Sequence, residues 1–239
     1  ANAFFDFPTS AEKVLGFFDT SKIYSERDIR FAGAIAINVA VITDILKSID
    51  PIALPEYTTT ITSDNFLDIV QREVESGEDK KQGMPKRILQ VLAPELLKRV
   101  SHMQPDAQSA LFKQLQRRLP SKDIMVYVRD PMLEAFMKEL RIAGEIYMLP
   151  HNAGTRSSAH DYLALVRANV GGGKADAYTD DTVDIQSSID IRGIIHNSVT
   201  LTRKNRATNK LPWWYRMPNR AHVELLVPYG STFVSMDGQ

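Results

Sequence analysis

A chain of 239 residues, 44% hydrophobic and 24% charged, has the balance of a folded globular protein rather than a disordered one, and suffices for one large domain or two ordinary ones. Lys plus Arg equals Asp plus Glu at 29 each, which removes the overall positive field of a general nucleic-acid binder, so nucleic acid is not expected as a partner. The absence of cysteine excludes disulfides, thiolate metal sites and a cysteine nucleophile, and leaves the compartment open.

The longest nearly apolar run, Phe31 to Ile42, contains Asn38 and falls short of the roughly 20 residues that cross a bilayer, so no transmembrane segment is expected here. The chain starts at Ala1 with no basic and then apolar leader before Phe4. It is therefore expected to be a processed or truncated piece whose anchor or signal lies upstream.

The first helix is predicted after Phe7-Pro8, with Thr9 and Glu12 at capping-box spacing and Ala11, Val14, Leu15 and Phe18 on one face. Phe31 to Ile37 reads as a short buried strand running into a helix with Val39, Ile42, Leu46 and Ile49 at helical spacing. Pro51 and Pro55 bracket an extended connector, Tyr57 to Ile61 is β-prone, and Thr62 or Ser63 is the expected cap of a helix carrying Phe66, Ile69, Val70 and Val74. The polar run Glu75 to Gly83 reads as an exposed loop. Pro85 opens a further helix, which Pro94 either kinks or ends in favour of a second one. Asp106 to Leu119 forms another amphipathic helix with Lys113, Arg117 and Arg118 opposite its apolar stripe. Ile124 to Val128 is a buried strand, followed by Asp130 as cap, Pro131 at the first helical position and Gly144 as the expected C-cap.

Beyond this point the period changes to two. Tyr162 to Val170 is strand-like and Gly171-Gly172-Gly173 turns the chain. Val183, Ile185, Ile189 and Ile191 alternate with polar residues as a half-solvated strand. Arg192-Gly193 turns into a second run through Ile195, Val199 and Leu201, and Val223, Leu225 and Val227 supply a third. The expected fold class is α+β: an α/β-like domain over residues 1–150 with several helices around a small sheet, then an antiparallel β-rich, sandwich-like region over 151–239.

Chemistry-bearing residues are scattered. Gly171 to Lys174 has the glycines and lysine of an anion cradle but lacks P-loop spacing, so a tight turn is the plainer reading, with Lys174 as an anion contact. Arg129-Asp130, together with Asp6, Asp28 and Arg30, holds the residue types of a phosphoryl clamp and metal carboxylate, although capping and solvated surface account for them as well. His102, His151 and His160 have no zinc spacing, and Ser157, Ser158, His160 and Asp161 are too local for a nucleophilic triad. Asp180, Asp181 and Asp184 occur without a calcium loop. No cofactor and no metal is expected. Trp213, Trp214, Tyr215 and Arg216, within the long connection Arg203 to Pro218, are the strongest interaction candidates, because aromatic faces beside cations stack on sugars, meet partners or sit at a lipid interface; anchoring the loop to the core is the alternative.

The run DYLALVRANVGGGKADAY, Asp161 to Tyr178, resembles the DUF4012 family's pattern of an Asp-Tyr-Leu strand followed by Ala-Asn, glycines, Lys and a terminal Tyr. FFDFPTSAEKV (4–14), the segment 35–57, ITSDNF (61–66), IMVYVRDPMLEAFM (124–137) and ELLVPYGSTFVS (224–235) resemble further segments of that family in the same order, which covers nearly the whole chain. The resemblance implies an outward-facing, membrane-anchored bacterial protein of which this chain is the C-terminal part, with the upstream half of the precursor as a partner. Where family members often have Asp before the second helix, this chain has Asn38. The N-terminal portion is distantly similar to the LytR-CpsA-Psr enzymes, which handle polyprenyl-phosphate-linked glycans. The leading functional expectation is thus an extracytoplasmic envelope domain that scaffolds or binds surface glycan or protein, and the alternative is a phosphotransferase-like enzyme on lipid-linked glycan.

Overall fold

The computed structural model describes residues 5–146 and 161–238, and the chain divides into two compact units, Ala1–Ile146 and Tyr147–Gln239. The fold is α+β. Helices dominate the first unit, and the second is rich in antiparallel strands. No described helix is long and apolar enough to cross a membrane.

In the first unit, helix α1 (Phe7–Thr20) is capped by Asp6, not by Thr9. Asp6 Oδ2 accepts the Thr9 N–H at 3.0 Å and the Thr9 hydroxyl at 2.6 Å, and Pro8 lies in the first turn, where its missing N–H costs nothing. Glu12, expected to complete a capping box, instead accepts the Tyr127 hydroxyl at 2.9 Å. The short helix α2 (Lys22–Ser25) follows. Strand β1 (Gly33–Ile37) feeds helix α3 (Val39–Lys47) through Asn38, whose Oδ1 accepts the N–H groups of Ala40 and Val41 while its amide donates to Asp123. Strands β2 (Ile52–Leu54) and β3 (Thr59–Ile61) form a hairpin over a 3-10 turn that Thr58 closes at φ 49°.

Helix α4 (Phe66–Ser76) starts at Asn65 rather than at Thr62 or Ser63. Glu75 to Gly83 is not the expected loop. Helix α4 runs to Ser76 and helix α5 (Glu78–Lys81) follows, because Asp79 turns inward to accept the Tyr57 hydroxyl. Burial and that carboxylate together push the Tyr57 hydroxyl up to about 12. Helix α6 (Arg87–Ser101) continues through Pro94, and helix α7 (Pro105–Gln116) returns beside α3, where Arg118 Nε meets the buried Asp44 carboxylate at 2.8 Å. Hydrogen bonding from Arg118 outweighs burial and holds the Asp44 carboxyl below the usual aspartate range. Leu46, Ile52, Leu54, Ile61, Phe66, Ile69, Val70, Ile88, Leu92 and Leu96 form the larger core.

Strand β4 (Ile124–Val128) pairs antiparallel with β1, Ile35 opposite Val126, and the two make a small sheet within the helix-rich first unit. Ala34, Ala36, Met125 and Tyr127 face α1 and close a second core on Phe7, Ala11 and Leu15. The far edge of β4 is covered: the Val126 N–H donates to the Ile142 carbonyl and the Val128 N–H to Glu134, both at 2.9 Å. By antiparallel alternation the backbone groups of Gly33, Ile35 and Ile37 point away from β4, where they meet no hydrogen-bond partner among the described residues. Helix α8 (Pro131–Glu139) has Asp130 as its cap, as read, but ends before Arg141 at φ 57°. Gly144 is not its C-cap; at φ 71° it accepts the Phe7 N–H at 3.1 Å, in a space where a Cβ would meet the Met125 sulfur at 2.5 Å.

In the second unit, β5 (Ala164–Asn169) pairs with β8 (Ala221–Leu226), and β6 (Thr179–Ile189) pairs with β7 (Ile195–Asn205), all antiparallel. Gly172 and Gly193 take φ 79° and 80° at the predicted turns, the second braced by Asp190, which accepts the Arg192 and Ile194 N–H groups. The described residues of this unit form two two-stranded ladders. Among the described residues of this unit, Val183, Ile185 and Ile189 on the alternating face of β6 are exposed, and the buried apolar side chains are Ala175, Trp214 and Tyr215.

Candidate functional site

The connection between β7 and β8 is organised around helix α9 (Trp213–Arg216), a single turn entered through Pro212. The Tyr215 N–H donates to the Pro212 carbonyl at 3.1 Å, and the Trp214 carbonyl accepts the Lys174 N–H at 2.7 Å, which fastens the glycine turn to the helix. Glycine is required there for room: a Cβ on Gly173 would come within 2.7 Å of the Met217 Cβ. Trp214 and Tyr215 are buried, and Tyr215 meets Tyr178 edge-on at 5.0 Å, in line with the preference of aromatic pairs for T-shaped contact. Trp213 stands edge-on to Trp214 at 5.7 Å yet is 46% exposed, and Arg216 is exposed.

Ion pairs brace this base. Arg203 Nε meets Asp181 at 2.7 Å and another Arg203 nitrogen lies 3.7 Å from Asp176; Arg167 also pairs with Asp181. The Asn219 amide donates to Asp176 at 2.6 Å, and Arg206 pairs with Asp180 at 2.5 Å while its N–H donates to the Tyr178 carbonyl. Asp180 and Asp181 are therefore committed to arginines. The bracing by Asp176 and Asn219 escaped the sequence reading, since nothing local links two polar residues 43 positions apart.

Arg129 belongs to the first unit, the other five candidates to the second. It lines a cleft of about 260 Å³ with Asp19, Ser25, Asp28, Ile29 and Arg30. Arg129 meets Asp19 at 2.5 Å and Arg30 lies 3.9 Å from Asp28, so two guanidinium groups face two carboxylates. A clamp for a transferring phosphoryl group needs uncompensated positive charge, which this lining does not provide. Asp6 and Asp130 are helix caps. Among the described residues no three His, Asp or Glu side chains are grouped to hold a metal ion. His102 closes α6, with its ring Nδ1 2.7 Å from the Lys98 carbonyl, whereas His151, Ser157, Ser158 and His160 lie outside the described residues.

Comparison with known proteins yields no family model, no curated protein and no solved structure that matches this chain.

Proposed function

We propose that the chain is an extracytoplasmic domain of a bacterial cell-envelope protein that binds or scaffolds surface glycan or protein through helix α9. The observation that carries the binding reading is the division of labour within four residues: Trp214 and Tyr215 are buried as a base, which presents Trp213 and Arg216 at the surface. An indole held by its neighbours loses little freedom on contact, so its burial against a sugar face or a partner goes largely into affinity. The envelope location, the anchoring upstream segment and the upstream half as a partner rest on the resemblance to DUF4012 proteins.

Co-sedimentation with purified peptidoglycan sacculi tests the reading. The chain is expected to pellet with the sacculi and Trp213→Ala to stay in solution, with an unchanged circular dichroism spectrum. Equal pelleting of the two proteins would remove α9 from the binding surface.

A further inference from the structure

The segment from Arg203 to Arg220 contains six cations, Arg203, Lys204, Arg206, Lys210, Arg216 and Arg220, and no Asp or Glu, in a chain whose formal net charge is zero. The structure sorts them into two groups. Arg203 and Arg206 are matched by Asp176, Asp181 and Asp180 within the fold. The side chains of Lys204, Lys210, Arg216 and Arg220 are exposed and form no ion pair among the described residues; Lys204 lies across the β6–β7 ladder from Asp180, whose carboxylate is held by Arg206. Carboxylates were available to neutralise this stretch, and they serve the two arginines that brace α9. Four positive charges are left on the segment that also presents Trp213.

We propose that this segment recognises an anionic glycan, a polymer whose carboxylate or phosphate groups recur along its length. The proposal rests on the binding function assigned to α9 and names its ligand class. The four cations meet successive anionic groups and the Trp213 indole covers a sugar ring between them. Recurring anions suit the arrangement, because cations spread along a connection gain most from a ligand that carries charge at several points. Single-stranded nucleic acid fits less well, since it is held by successive aromatic platforms and α9 exposes one indole.

The test is affinity electrophoresis of the whole chain through gels containing polygalacturonate, poly(glycerol phosphate) or neutral dextran, with flotation on phosphatidylglycerol vesicles as an anionic surface without sugar. Both polyanions are expected to retard the chain, less so as salt rises, and dextran to leave it nearly unaffected. The double variant Lys210→Glu/Arg216→Glu, at two exposed positions, is expected to bind the polyanions about tenfold more weakly at low ionic strength. Retardation by dextran that is lost in Trp213→Ala but kept in the double variant would overturn the anionic assignment and leave the binding function standing. Vesicle binding as strong as polymer binding would overturn the glycan assignment in favour of charge alone. No retardation by any polymer, with Trp213→Ala silent on sacculi, would remove both.

Discussion

Asp6 joins two ends of the first unit with one carboxylate. Its Oδ2 caps α1 through Thr9, and its Oδ1 accepts the N–H of Ile146 at 3.0 Å. Burial alone would raise its pKa, but the hydrogen bonds from Thr9 and Ile146 outweigh burial and hold the group below the ordinary aspartate range. A carboxyl depressed in the folded state stabilises above its unfolded value, and that contribution is lost as pH falls through the folded value. Asp6→Ala is therefore expected to cost about 1–2 kcal/mol at neutral pH. In urea denaturation the gap between variant and parent should narrow in acid, below the unfolded aspartate value of about 3.9. Asp130 was legible as a cap because Pro131 marks the first helical position behind it. Asp6 was not, because Thr9 and Glu12 mimic a capping box locally, while the partner that claims Glu12 is Tyr127, 115 residues away.

Elements with a clear period have the type that their period implies; β4 keeps its expected bounds, and β1 and α3 differ from theirs by two residues at one end. The exception at α5 is instructive. A polar run with glycines at 77 and 83 carries every local mark of a loop, yet its first two residues end α4, and α5 forms where Asp79 turns inward toward Tyr57. Helix α6 settles the alternatives left open at Pro94 in favour of one continuous helix. The ring there is exposed and removes one backbone hydrogen bond, so Pro94→Ala should restore the bond without disturbing packing. The expected gain is about 1–2 kcal/mol, less than the full interior-proline penalty because proline also restricts the unfolded chain. It would be read as a higher midpoint of thermal unfolding, and a lower midpoint would mean that the helix depends on its bend.

At the scale of the molecule, apolar burial is uneven. The first unit has two clusters of buried side chains, whereas the described burial in the second centres on Ala175, Trp214 and Tyr215. Amide hydrogen exchange should follow this: the amides paired between β6 and β7 are expected to exchange at least about tenfold faster than those of α6 and of the β2–β3 hairpin. Comparable protection would show that the ladder is supported by more than its own strands. The α+β class was legible in the change of period after Gly144, but the pairing of β5 with β8 across the β6–β7 ladder was not, because alternation records which face is apolar and not which strand lies beside it. At α9 the four letters Trp-Trp-Tyr-Arg single out the turn on which the proposed binding surface is built. Which ring faces outward has no period to reveal it within one turn. Among the described residues nothing pairs with the outward side of β1. Its five residues carry no lysine, proline or bulge, the usual guards of such a margin. Concentrating the protein brings together margins that no described residue covers, and the clarity of a stock solution becomes a matter of its history and strength as much as of its thermal stability.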